Sequence, residues 1–172
     1  MIRIHRFISN EYKETYDPTV EDWYKKTLMC KGRPVQLEII DTAGRELVSE
    51  MLLRYILTAD AFIVVYSVGS RKSYQHAIYL FSQIAQIRVI GSIARLLVAT
   101  MCDSIYREVS PEEGNALSAQ LRCSFAEVSA KRNVNIQEIF EETVSLLLFI
   151  ENMRYSKEDV QQNQKLPFCC FF

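Results

Sequence analysis

The sequence predicts a three-layer α/β sandwich built on a mostly parallel sheet. Three observations carry this. Ala61-Phe62-Ile63-Val64-Val65-Tyr66 and Ala94–Ala99 are continuous apolar runs, the pattern of strands buried on both faces. Amphipathic, helix-period segments alternate with strands from Val35 onward. Such alternation joins parallel strands by right-handed crossovers, with helices on both sheet faces.

Taken in order, residues Ile2 to Asn10 have a helical period, with Ile4, Phe7 and Ile8 on one face. Glu11 to Val20 is polar and holds Pro18, so it reads as a loop. Glu21 to Met29 reads as a strand with the charges of a sheet edge. Cys30-Lys31-Gly32-Arg33-Pro34 reads as the hairpin turn that follows. Val35, Leu37 and Ile39 alternate in the next strand, which runs into Asp41-Thr42-Ala43-Gly44. Helices are expected over Ser49 to Thr58 and Ser70 to Ile87. Ser110-Pro111-Glu112-Glu113 opens another: a serine cap, proline in the first turn and glutamate at the capping-box position. Ser124 to Val128 is a short last strand. Asn135 to Met153 is the final helix, turning Ile136, Ile139, Phe140, Val144, Leu147 and Leu148 inward.

The chain has 172 residues, 49% of them hydrophobic and 24% charged, which suits one domain with a real core. A net charge of −1 gives no electrostatic footprint for nucleic acid. No apolar run reaches membrane-spanning length, and the first residues do not form a secretory signal. The five cysteines lack metal-ligand or disulfide-framework spacing, which fits a reducing cytosol. His5 and His76 are far apart, so zinc or histidine-triad chemistry has little to build on.

The chemistry gathers where strands end. A carboxylate at a strand's carboxyl end, here Asp41, can hold magnesium, directly or through water. Gly44, shortly after, lets a backbone N–H approach a phosphate oxygen. In an open α/β sheet this is where ligands bind.

Four stretches then stand in one order: Tyr16-Asp17-Pro18-Thr19-Val20-Glu21-Asp22, Asp41-Thr42-Ala43-Gly44, Cys102-Asp103, and Ser129-Ala130-Lys131. Together they resemble the Ras superfamily of small GTPases, and within it the Ras branch. Arg107-Glu108-Val109-Ser110 with Glu112-Glu113-Gly114 is similar to the growth-inhibitor Ras-like subgroup. The resemblance runs from about Ile4 to Phe149 and implies a P-loop-NTPase-like sandwich.

It also implies residue roles. Thr19 would ligate Mg2+ and sense the γ-phosphate, and Asp41 would hold the Mg2+ through water. The Gly44 N–H would contact the γ-phosphate. Asp103 would pair with the guanine ring, the Ala130 N–H would meet its carbonyl, and Ser129 and Lys131 would support it. Tyr12 stands where the family places an aromatic ring. Tyr16, Asp17, Pro18, Thr19, Val20, Glu21 and Asp22 match the effector segment, which leads into an edge strand where a partner strand could add. GTP and GDP would be the ligands, with protein effectors and regulators as partners.

Three departures qualify the resemblance. The family's Gly-x-x-x-x-Gly-Lys-Ser/Thr loop should follow a first strand and open the first helix. The sequence begins within that helix and contains no Gly-Lys-Ser or Gly-Lys-Thr. The first strand is therefore expected to be absent from the sheet's centre, between the strands at Val35–Ile40 and Ala61–Tyr66. Those two strands would then pair directly, or a partner would fill the gap, or the natural polypeptide would begin further upstream. Secondly, Arg45 takes the catalytic position where relatives carry a water-orienting glutamine, and a guanidinium has no acceptor for that task. Thirdly, the guanine motif Asn-Lys-x-Asp reads Thr100-Met101-Cys102-Asp103, keeping only the acid. Met101 has a plain alternative as a core-packing residue.

On this reading residues 1–153 form an N-terminally incomplete Ras-like domain and 154–172 a tail. The tail ends Cys169-Cys170-Phe171-Phe172, a C-a-a-X match that points to geranylgeranyl on Cys169. Its second position is cysteine rather than aliphatic, and no polybasic stretch precedes it. The location expected is the cytoplasm or the cytoplasmic face of a membrane. The functions expected are a guanine-nucleotide switch with slow hydrolysis at most, a pseudo-GTPase that presents its effector segment, or an incomplete product that binds no nucleotide.

Overall fold

The computed structural model describes residues 4–11, 21–42, 49–154 and 165–171. They form a six-stranded sheet with helices on both faces. Helix α1 (Ile4–Ser9) precedes the antiparallel hairpin β1 (Glu21–Cys30) and β2 (Arg33–Thr42). Then follow α2 (Ser49–Thr58), β3 (Ala61–Ser67), α3 (Arg71–Ile87), β4 (Ala94–Thr100) and α4 (Pro111–Leu121). β5 (Ser124–Val128), α5 (Ile136–Arg154) and β6 (Lys165–Phe171) complete the chain. The strand order is β1-β2-β6-β3-β4-β5, and every neighbouring pair except β1–β2 is parallel.

The hairpin is tighter than its five turn-type residues imply. Lys31 and Gly32 both have positive φ, 50° and 77°, the geometry of a two-residue turn whose twist matches the strands. Cys30 therefore pairs directly with Arg33, and the ladder includes Pro34. Pro34 is tolerated because β2's other neighbour pairs only from Gln36 onward.

The helix starts behave as their residues dictate. At α4, Glu113 N–H donates to Ser110 Oγ and Ser110 N–H to Glu113 Oε2, at 3.3 and 2.9 Å, closing the capping box. At α3, Ser73 N–H donates to Ser70 Oγ at 3.2 Å.

Alternation along the strands divides the interior in two. On one face α1 and α5 bring Ile4, Phe7, Ile139, Phe140 and Val144 against Leu37, Ile39, Ile63, Leu96 and Val98. Phe7 and Phe140 stack there with ring centroids 3.7 Å apart. On the other face α2, α3 and α4 bring Leu52, Ile56, Leu80, Phe81 and Leu117 against Ile40, Phe62, Val64 and Leu97. Helical and strand periods thus agree on which residues are core. Leu148 is only half-buried at the margin.

The centre of the sheet departs from the sequence reading. Among the three ways of treating the gap between β2 and β3, none foresees what the structure shows. Residues 165–171, read as part of a tail, lie between these strands as β6, parallel to both. The physical reason is the demand for backbone partners. Two facing inner edges would each leave N–H and C=O groups unsatisfied, at roughly 1–3 kcal/mol per group. A further strand removes that cost.

Candidate nucleotide site

The carboxyl ends of the parallel strands converge on one edge of the sheet. At the end of β2, Asp41 and Thr42 are 6% and 1% exposed. Asp41 lies directly across the hairpin from Asp22. Burial, and then the facing Asp22 charge, raise the Asp41 carboxyl to about 7. Tyr24 donates its hydroxyl to Asp22 Oδ2 at 3.1 Å. Burial, and next the bond to Asp22, push the Tyr24 phenol up to about 12.

A buried acid with another acid as its cross-strand neighbour is an arrangement that a cation relieves. That chemistry fits a hard divalent ion such as Mg2+ with oxygen ligands. Of the residues expected to hold such an ion, Asp41 lies at the end of β2. Thr19 lies outside the described residues, as do Tyr12, Tyr16, Asp17, Pro18, Val20, Gly44 and Arg45. Of the effector segment, Glu21 and Asp22 open the edge strand β1. Among the described residues β1 has a strand neighbour on one side only.

The loops after β4 and β5 come together. Thr100, 2% exposed, donates its hydroxyl to the Tyr66 carbonyl at 3.0 Å, so this side chain is committed to β3. Met101 then takes a left-handed φ of 61° and is 52% exposed. The core-packing alternative for Met101 is thereby corrected: the chain has left the sheet and turned outward. Cys102 N–H donates to the Val128 carbonyl at 3.1 Å, which fixes the β4 loop to the end of β5.

The Ser129 hydroxyl leads the causes that hold the Asp103 carboxyl below the usual carboxylate range. The Lys131 and Arg132 charges act in the same direction. Ser129 is fully buried, and its Oγ also accepts from Arg132 N–H at 3.0 Å. Its backbone bonds that of Val134 in both directions, at 3.1 and 2.9 Å, which closes the loop. Ala130 is half-buried and Lys131 exposed. Asp103 and the Ser129-Ala130-Lys131 turn are therefore one unit.

Residues that the sequence reading did not single out as site supports brace that unit. Arg107 forks onto Glu127 at 2.8 and 2.9 Å and also donates to the Cys102 carbonyl at 3.2 Å. Asn135 Nδ2 donates to the Glu127 carbonyl at 2.8 Å. Arg107 and Glu127 are 20 positions apart, and no local pattern announces the pair. Two intervening strands separate β2 from β4, which puts their ends roughly 14 Å apart.

The family model described as "Ras family" matches residues 3–148. The chain belongs to the Ras family. Several relatives are similar over most of this Ras-family chain. The Ras-like protein rasS of Dictyostelium discoideum is 34% identical over 163 residues, covering 94% of this chain and 84% of the relative. The Ras-like protein 2 of Mucor circinelloides f. lusitanicus is 31% identical over 166 residues, 96% of this chain and 84% of the relative. The GTP-binding protein Di-Ras1 of Homo sapiens is 35% identical over 142 residues, 82% of this chain and 72% of that protein. The family fold agrees with the observed sandwich. In this Ras-family chain the strand between β2 and β3 arrives from α5, after residue 154.

Proposed function

We propose that the chain is a guanine-nucleotide-dependent signalling switch, binding GTP and GDP with Mg2+ and hydrolysing GTP slowly at most. The observation that carries this is the joining of the loops after β4 and β5, where Cys102 N–H bonds the Val128 carbonyl and brings Asp103 to the Ser129-Ala130-Lys131 turn. An acid held ionised by a buried hydroxyl suits the guanine ring N–H and amine, which are both donors. Ala130 N–H would meet the guanine carbonyl, with Ser129 and Lys131 supporting the base and Tyr12 covering its edge. Asp41 and Thr19 would hold the metal and Gly44 the γ-phosphate. Arg45 offers no acceptor for the attacking water, so turnover by this route is slow.

Residues Tyr16 to Asp22 would serve as the effector segment, of which Glu21 and Asp22 open β1 at the edge of the sheet. Cys169 is the lipid-attachment candidate, and the cytoplasmic face of a membrane the corresponding location. Residues 1–153 act as the switch domain and 154–172 as its C-terminal segment. Titration with a fluorescent GDP analogue in magnesium tests the reading. Saturable binding displaced by GDP but not by ADP, and lost in Asp103→Ala, is the expected result. Equal displacement by both nucleotides would sink it.

A second reading, an effector-binding module that does not cycle, is favoured by β6. In the family the strand at this place leads through the glycine-rich loop into the first helix. Here it follows α5. If the same titration shows no saturable guanine-nucleotide binding while a partner still docks on β1, the second reading replaces the first.

A further inference from the structure

The strands β2 and β3 are held together through β6. Its register sets residues 165–171 against Gln36–Thr42 and residues 168–171 against Ala61–Val64. The backbone at Cys169 thus faces Ile40 on one side and Phe62 on the other. Pro167 faces Glu38 but precedes the stretch paired with β3. The residue without an N–H therefore sits where β6 has one neighbour only.

The topology accommodates this insertion. The connections through α2, α3 and α4 run in one direction across the sheet, on the face where those helices pack. The connection through α5 runs back in the other direction on the opposite face. Reversing both direction and face preserves the hand, so the last crossover matches the others. The intervening residues 155–164 are polar in sequence apart from Tyr155 and Val160, the composition of a connector.

We propose that the groove between β2 and β3 is a docking site for the chain's own residues 165–171, and that the docked strand withholds Cys169 from lipid transfer. The second half rests on the reading of Cys169 as a lipid-attachment site. A transferase that modifies a chain's terminal residues must take them as a free extended segment. A backbone already paired on both sides is not free. Completing the sheet and anchoring to a membrane are therefore alternative uses of one segment. Release of β6 reopens the centre of the sheet and leaves inner-strand edges bare, a template for any other parallel apolar segment.

Hydrogen exchange of the full chain, read by mass spectrometry, tests docking. Amides of residues 168–171 should exchange as slowly as those of β3. Exchange at the rate of an unstructured peptide would overturn docking. Lipid transfer tests the coupling. Geranylgeranyl transferase and geranylgeranyl diphosphate are offered to the full chain, to full-length Phe168→Pro, and to a synthetic peptide of residues 160–172. Phe168→Pro breaks the doubly paired stretch and leaves residues 169–172 intact. The peptide and the variant should be modified at least about tenfold faster than the native chain, the factor set by a local opening free energy of about 1.4 kcal/mol. Equal rates for all three overturn the coupling. An unmodified peptide overturns the lipid reading and the coupling with it, while the exchange pattern alone decides whether the strand docks.

Discussion

The loops after β4 and β5 are tied to one another by side chains, whereas the end of β2 sets one acid against another. After β4 and β5, Cys102 N–H bonds the Val128 carbonyl, and Arg107 spans Glu127 and the Cys102 carbonyl. At the end of β2, Asp41 is buried against Asp22 and its carboxyl is pushed up to about 7. The two halves teach different things. The first is braced within the fold, and the second holds an acid whose ionisation is opposed by burial and a facing charge.

The largest effect expected is at Asp41. Its carboxyl is raised from 3.8 to about 7 in the fold, so the folded chain holds its proton more tightly than the unfolded chain. The associated stability is present below pH 3.8 and is lost as pH rises through about 7. Three pK units correspond to a loss on the order of 4 kcal/mol. Urea melts in chelator should show that slope, and Asp41→Asn should remove it and be the more stable chain above pH 7. Added Mg2+ should restore stability to the native chain alone. A flat profile in chelator would erase the contrast between the two halves.

Next is Gly114 in α4, against Phe125 of β5 and Tyr66 of β3. A Cβ there would lie 2.4 Å from Phe125 Cζ and 2.6 Å from Tyr66 Oη. Gly114→Ala should cost about 1–3 kcal/mol through overpacking, despite alanine's better helix propensity. The midpoint of urea unfolding reads this directly.

Arg107→Ala follows, with a loss of about 2 kcal/mol, because it strips a half-buried forked ion pair and a loop carbonyl bond together. Guanine-nucleotide affinity should fall with it. Unchanged affinity would mean that the brace serves stability alone.

The smallest effect is at Ser129→Ala, about 1 kcal/mol. Its sharper readout is the Asp103 carboxyl. Losing the hydroxyl that leads its depression should move the carboxyl upward, as followed by carbon-13 chemical shift against pH.

Much of this was legible in the residues. The buried runs at Ala61 and Ala94, the capping box at Ser110 and the period of the final helix are local signals, and each element stands where they put it. Asp41 at the end of β2 and Asp103 in the loop after β4 could be placed from the sequence, since each follows from the direction of its strand. Met101 misled because a thioether is equally at home in a core or at a surface, and only its left-handed backbone settles which. Arg107 was visible as a family mark but not as a brace, because its partner depends on how two loops meet.

The sequence by itself determined the layers, the strand directions and the residue types at the strand ends, because hydrophobic period and turn chemistry act over a few residues. Only the tertiary structure decided what lies between β2 and β3. Leu166-Pro167-Phe168-Cys169-Cys170-Phe171 is an apolar run that carries a proline and no distinguishing period. Its place follows from unpaired backbone on strands more than a hundred residues earlier. Strand pairing is satisfied in space, and nothing local marks its partner.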